Sequence, residues 1–411
     1  MNFEFFVSKR LISTKKYKSS ISAPIIKIAI IAIAIGVIMM LVSFATGMGL
    51  QDKIRDKIAA FNGHITISSY DNNNSGNSIN PISKNQDFYP EFKNVDGIKH
   101  VQAIAVKAGV IRTETDFEGV AVKGVGADYN WDYFKEFMVE GELPDYTAEL
   151  NEEILISQYI ADRLGFDVGD KVITYFWRDE NSQNPLLRAF VIKGIFNSGF
   201  QEFDELYLIA DIRHIQRLNK WEKDEIGHFE IFVDDFDQLN QKGNEIYEKT
   251  DSFLDTQTIQ QKYYSIFEWL DLFDFNIALI IGIMILVAGI NMITALLVLI
   301  LERTQMIGVL KALGSSNWSI RKIFLYNAGY LIVKGLFWGN LIGLGLLFAQ
   351  KYFKFIPLNP ETYYVTEVPV YIGLEYILAV NIGTLLLCML MLLLPSYIIS
   401  KTSPVKAIRF E

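Results

Sequence analysis

Four long apolar runs constrain this chain more than anything else in it. A helix rises about 1.5 Å per residue and a bilayer core is about 30 Å thick, so about 20 consecutive apolar residues suffice to span it. Residues 28–50 (IAIIAIAIGVIMMLVSFATGMGL) and 275–301 (FNIALIIGIMILVAGINMITALLVLIL) carry no charged side chain. Residues 323–350 are glycine-rich and interrupted by Lys334, and residues 372–399 hold Glu375 near one end and Pro395 near the other. The first run, 23 residues long, exceeds the roughly 7–15 of a cleaved signal's apolar region, so it is expected to remain as an anchor. Lys334 can mark a pathway through the membrane or simply snorkel to the interface, and snorkelling is the plainer reading.

Lys and Arg near span ends favour the cytoplasm. An amphipathic segment at 1–27 carries Lys9, Arg10, Lys15, Lys16, Lys18 and Lys27. The 302–322 loop carries Arg303, Lys311, Arg321 and Lys322, and the 400–411 tail carries Lys401, Lys406 and Arg409. The 351–371 loop has only Lys351 and Lys354 beside Glu361 and Glu367. Both termini and the 302–322 loop are therefore expected in the cytoplasm, with 51–274 and 351–371 outside. Residues 51–274 hold 22 basic and 41 acidic side chains, net −19, against +10 for the rest. That acidity favours solubility and identifies no substrate. Cys388 is the only cysteine, so the exported region must fold by packing alone.

The expected architecture is a membrane α-helical protein with four transmembrane helices and an α+β extracytoplasmic domain inserted between helices 1 and 2. The domain opens on an amphipathic extension of the first span, LQDKIRDKIAAF, with Leu50, Ile54, Ile58 and Phe61 on one face. Alternating runs GHITI, VQAIAVKAGVIRT, GVAVKGV, EILIS, KVITYFW, AFVIKGIF and FEIFVDD predict strands, and QYIADRL, ADIRHIQRL and DFDQLNQKGNEIYEKTD predict helices. Residues 69–86 read as a solvated loop, and two sub-lobes are expected. The helix-patterned stretch TIQQKYYSIFEWLDLFDF runs into the second span, so both spans are expected to continue outward as a stalk.

No catalytic spacing emerges. His64, His100, His214 and His228 are scattered, with no HExxH or Cys/His cluster, no P-loop and no nucleophile elbow. The pairs Glu152–Glu153 and Asp234–Asp235 read as solvated charges, and no basic stripe with interleaved aromatics supports nucleic-acid binding. The informative segment is the loop ERTQMIGVLKALGSSNWSIRKIF. Glu302 and Arg303 end the apolar run. A short helix follows with Met306, Val309, Leu310 and Leu313 on one face, and Gly314 breaks it. Such a helix can rest on lipid or dock in a partner's groove.

The segment VAGINMITALLVLILERTQMIGVLKALGSS resembles the signature of ABC-transporter permeases of the MacB/FtsX type, in which a helix of the form E-R/K-x-x-x-I-G-x-L-K-A-L-G couples the membrane part to a separate ATPase. SPVKAIRFE is similar to that family's closing stretch. The segments GMGLQDKIRDKIAAFNGHITI, VKGVGADY, ISQYIADRLGFDVGDKV and VIKGIFNSGFQEFDELYLIADIRHIQRL resemble the LolC/LolE branch, the lipoprotein-releasing permeases.

The resemblance implies a permease that lifts lipid-anchored proteins from the inner membrane and passes them to a periplasmic carrier. A second permease subunit, identical or paralogous, and a cytoplasmic ATPase dimer would complete the complex. ATP and Mg would bind the ATPase, and this chain would carry no cofactor. It implies coupling residues Glu302, Arg303, Met306, Ile307, Gly308, Val309, Leu310, Lys311, Leu313 and Gly314. Candidate lipoprotein-binding residues are Met39, Met40, Ser43 and Met48 on the first span and Phe275, Leu279 and Ile283 on the second. The position of a carrier-binding loop matches WRDENSQNPLLRA, with Trp177, Arg178, Leu186, Leu187 and Arg188 as candidates, although this loop is shorter than such a hook requires. The alternatives are a MacB-like efflux or FtsX-like mechanotransmitting permease. The first usually carries a fused ATPase and the second a smaller external domain.

Overall fold

The computed structural model describes residues 3–13, 22–70, 77–177 and 184–401. Among these residues four helices are long and apolar enough to cross a membrane: Ser22–Asn62, Tyr264–Glu302, Asn317–Phe353 and Leu374–Ser396. The first, of 41 residues, rises roughly 60 Å, about twice a bilayer core. The extension predicted from LQDKIRDKIAAF is thus part of one unbroken helix, with Leu50, Ile54, Ile58 and Phe61 all buried. At the second span the expected single helix is instead two. A four-residue helix Ile259–Lys262 opens on a capping box between Thr258 and Gln261, and non-helical Tyr263 separates it from Tyr264–Glu302.

The chain divides into two compact units, one holding the spans and the other comprising Asp52–Glu268 with Leu358–Thr366. Residues 358–366 therefore fold with the inserted domain and not as a free-standing loop. Lys57 Nζ donates to the Tyr364 carbonyl at 2.9 Å, and the Tyr364 ring stacks on Phe200 with centroids 4.5 Å apart.

In the inserted domain every strand that alternation predicts is present, and all join one ten-stranded mixed sheet where two sub-lobes were expected. Its centre is the antiparallel pair Ile98–Arg112 and Phe117–Val125. Two pairings are parallel, Phe117–Val125 with Tyr207–Asp211 and Glu153–Ser157 with Leu186–Phe196. Helix Gln158–Leu164 forms where QYIADRL predicts it, because Ser157 accepts the Ile160 N–H as N-cap and Gly165 closes it at φ +71°.

Within the membrane unit, glycines set the spacing. Gly335, Gly339 and Gly343, one helical turn apart, lie against Ile33, Val37 and Leu41 of the first span. A Cβ at Gly339 would sit 2.7 Å from the Val37 Cβ and 2.9 Å from the Ala34 carbonyl. Backbone cannot yield as a flexible side chain does, so Gly339→Val should destabilise the unit by about 1–3 kcal/mol. Thermal melting of the purified chain in detergent would register the loss, and an unchanged midpoint would contradict this packing. The third and fourth spans are tied by reciprocal amide bonds: Asn340 Nδ2 donates to Asn381 Oδ1 at 2.6 Å, and Asn381 Nδ2 returns one at 2.9 Å. Lys334 is exposed, with its ammonium 4.6 Å from the Tyr330 ring centre.

Candidate functional site

The loop between the second and third spans folds as the sequence suggests, but with a different face inward. Glu302 closes the second span, Arg303 leaves helical geometry, and a nine-residue helix Thr304–Ala312 follows. Gly314, at φ +92°, ends that segment, and Ser316 caps the third span by accepting the Ser319 N–H at 3.2 Å. Ile307 and Gly308 are buried, and Met306 and Leu310 pack half-buried against the core of the spans. Val309 and Leu313 are turned outward, 45% and 78% exposed, and Leu301 near the end of the second span is 71% exposed. The expected face Met306–Val309–Leu310–Leu313 is therefore split in two. A helix at 100° per residue with apolar side chains all round gives no periodicity by which sequence could choose between them.

Lys311 and Arg321 have defined partners. Lys311 Nζ donates to the carbonyls of Ile399 at 2.7 Å and Ser400 at 3.3 Å, just beyond the fourth span. Arg321 donates from Nε to Ser396 Oγ and from Nη2 to the Leu393 carbonyl, both at 3.0 Å, with its guanidinium 5.2 Å from the Trp318 ring. Cations at a helix C-terminus meet carbonyls that have no intrahelical donor.

A second polar cluster fixes the far end of the first helix inside the inserted domain. Lys123 Nζ donates to the Phe61 carbonyl at 2.6 Å and pairs with Glu230 at 2.7 Å, both side chains almost wholly buried. Gln102 donates to the other Glu230 oxygen at 2.8 Å, and His228 Nε2 lies 3.6 Å from Glu230. Next to it, Asn62 Oδ1 accepts from Lys262 Nζ at 2.8 Å and from the Tyr263 hydroxyl at 3.0 Å. Burial pushes the Glu230 carboxyl up, but Lys123 and His228 outweigh it and hold the group at about 2. Burial lowers His228 as well, and brings His64 down to about 4. His64 Nδ1 accepts the Val233 N–H at 3.0 Å, so it must stay unprotonated there. Sequence reading gave the histidines no role and passed over Lys123. The available signal was a lysine inside the strand GVAVKGV, which is buried on both faces and so demands a buried counter-charge.

The other candidate residues separate. Met39, Phe275, Leu279 and Ile283 are exposed, and Ser43 and Met48 are half-buried. Met40 is fully buried in the core of the spans and cannot line a lipid site as expected. Adjacent positions lie about 100° apart on a helix, and a uniformly apolar helix does not reveal which faces inward. Trp177 is exposed just after strand Lys171–Phe176. Leu186, Leu187 and Arg188 are not loop residues but open the strand Leu186–Phe196, paired with Phe176, Tyr175 and Thr174. The second strand begins before the run AFVIKGIF, at Leu186, which pairs with Phe176. Arg178 falls outside the described residues.

The MacB-like periplasmic core domain profile matches residues 28–249, more than half of the chain, and the FtsX-like permease C-terminal profile matches residues 278–404. Four spans and an α+β domain inserted after the first thus define a membrane permease of the MacB/FtsX class. The lipoprotein-releasing system transmembrane protein LolC of Neisseria meningitidis serogroup B is 23% identical, with 100% of both chains covered. LolC of Buchnera aphidicola is 22% identical over 94% of each, and LolE of Haemophilus influenzae 22% over 99% of each. The extracellular domain of the noncanonic ABC-type transporter YknZ from Gram-positive bacteria aligns at 15% identity and a TM-score of 0.32, covering 47% of this chain and 99% of that one. The chain belongs to the LolC/LolE family of ABC-transporter permeases, and is a multi-pass protein of the inner membrane.

Proposed function

We propose that this chain is the permease subunit through which a separate ATPase drives extraction of lipid-anchored proteins from the inner membrane and their transfer to a periplasmic carrier. The observation that carries the reading is the helix Thr304–Ala312, with one face packed against the spans and with Val309 and the C-cap residue Leu313 left exposed. An exposed apolar face on a short helix suits a groove in a partner, here a cytoplasmic nucleotide-binding subunit. ATP and Mg belong to that subunit, and this chain needs no cofactor of its own. Both termini and this helix face the cytoplasm in this reading, and the inserted domain lies in the periplasm, in keeping with the distribution of Lys and Arg.

Energetics support a need for ATP. Each acyl CH₂ withdrawn from the bilayer costs about 0.8 kcal/mol, so removing several chains is strongly uphill. Met39, Phe275, Leu279 and Ile283 lie on outward faces of the first two spans, which suits a lipid site formed with a second permease subunit. Flexible methionine accommodates varied chains. Trp177, exposed just after strand Lys171–Phe176, suits a contact with the carrier. Affinity purification of the tagged chain from its own membranes tests the reading. A small ATPase and a lipidated protein are expected, and recovery of an outer-membrane tunnel protein in their place would overturn it in favour of efflux.

A further inference from the structure

Lys311 lies within the helix assigned to the ATPase, yet its ammonium is turned away from the exposed face. At 100° per residue it stands about 160° from both Val309 and Leu313, nearly opposite them. Its bonds go to the Ile399 and Ser400 carbonyls. Arg321, from the first turns of the third span, grips the same end of the fourth span one turn earlier. There Pro395 lies inside the last turn, the helix ends at Ser396, and the Tyr397 N–H donates to the Leu394 carbonyl at 3.1 Å. The Leu393 carbonyl is thereby left to accept from Arg321 Nη2 and from Ser396 Oγ. Two cations from two elements thus clasp the end of the fourth span, Arg321 on the Leu393 carbonyl that the helix leaves without its own donor and Lys311 on the short helix Ile398–Lys401 that follows.

We infer that Lys311 and Arg321 are positioning residues that pass movement of the Thr304–Ala312 helix to the fourth span, Lys311 transmitting the motion and not holding the ATPase. The inference rests on the docking proposed above for the opposite face. A backbone carbonyl suits this task because it moves only with its helix, whereas a side-chain partner could swing to another rotamer.

The test uses the full complex, permease with its ATPase in proteoliposomes, and scores three quantities: ATPase retained on the permease, phosphate released, and lipoprotein released per phosphate. For Lys311→Met, which keeps the apolar stem, the first two should stay within about twofold while lipoprotein release per phosphate falls about tenfold or more, and Lys311→Arg should restore it. Arg321→Gln should show the same split. Lys311→Gln, which retains one donor, serves if Lys311→Met does not accumulate, and an intermediate ratio is expected. Loss of bound ATPase in Lys311→Met, or an unchanged release ratio, would overturn the inference. Leu313→Asp run in parallel separates the two ideas: if it retains the ATPase, the docking reading fails, whereas the Lys311 release ratio judges transmission alone.

Discussion

Leu313→Asp should strip the ATPase from the permease while leaving the permease folded. The side chain is 78% exposed, so its replacement opens no cavity and removes no internal contact of consequence. In a docked complex the same position would be a central apolar anchor, and a carboxylate there would be desolvated without a partner. Truncated or charged anchors of this kind cost about 2–4 kcal/mol, roughly 30- to 700-fold in affinity. Co-purified ATPase should fall to background, lipoprotein release should cease, and the melting temperature of the isolated permease should not move. Val309→Asp should act in the same direction more weakly, being less exposed. A bulky side chain at Gly308 would not test docking, because Gly308 is buried and any large group there would disrupt packing whether or not a partner docks. An ATPase that still binds Leu313→Asp at the original affinity would move the docking surface elsewhere.

This distinction was out of reach of the sequence, for a physical reason. The existence of the helix follows from local signals: Glu302 and Arg303 ending an apolar run, and Gly314 at positive φ ending the next. Its orientation depends on which side chains the other spans bury, and apolar residues on every face leave no amphipathic signature. The same holds for Met39 and Met40, neighbours of equal chemistry with opposite burial. Spans were legible because composition alone dictates them. Strands such as Glu153–Ser157 and helices such as Gln158–Leu164 were legible because alternation and an N-cap serine act over a few residues. The strand Tyr207–Asp211 was not, being five residues held in place by a parallel partner more than 80 positions earlier. Gly335, Gly339 and Gly343 stood in view as a glycine-rich span, but the helix they admit was not identifiable until Val37 and Ala34 were seen against them.

Glu230→Ala should be the most damaging single change in the inserted domain. It leaves Lys123 buried with only the Phe61 carbonyl as a bonded partner, removes the acceptor for Gln102, and frees His228 from its neighbour. Breaking one half of a buried pair costs about 3–5 kcal/mol, and for a domain of this size that lowers the melting temperature by roughly 6–20 °C. The double change Lys123→Met with Glu230→Leu removes both charges and should recover most of the loss, since the desolvation cost disappears with the attraction. The pH dependence follows from the same groups. Glu230 titrates at about 2 when folded, against an ordinary value of 4.5, so its stabilisation is complete above pH 4.5 and is lost as pH falls toward 2. His64 titrates at about 4 against 6.5, so its contribution is lost earlier, between pH 6.5 and 4. The wild-type chain should therefore soften in two stages on acidification, and Glu230→Ala should lack the lower one. Hydrogen exchange at strands Phe117–Val125 and His228–Val233 across that range would resolve both stages. Protection in Glu230→Ala equal to wild type at neutral pH would mean that the cluster is hydrated and does not hold the end of the first helix to the sheet.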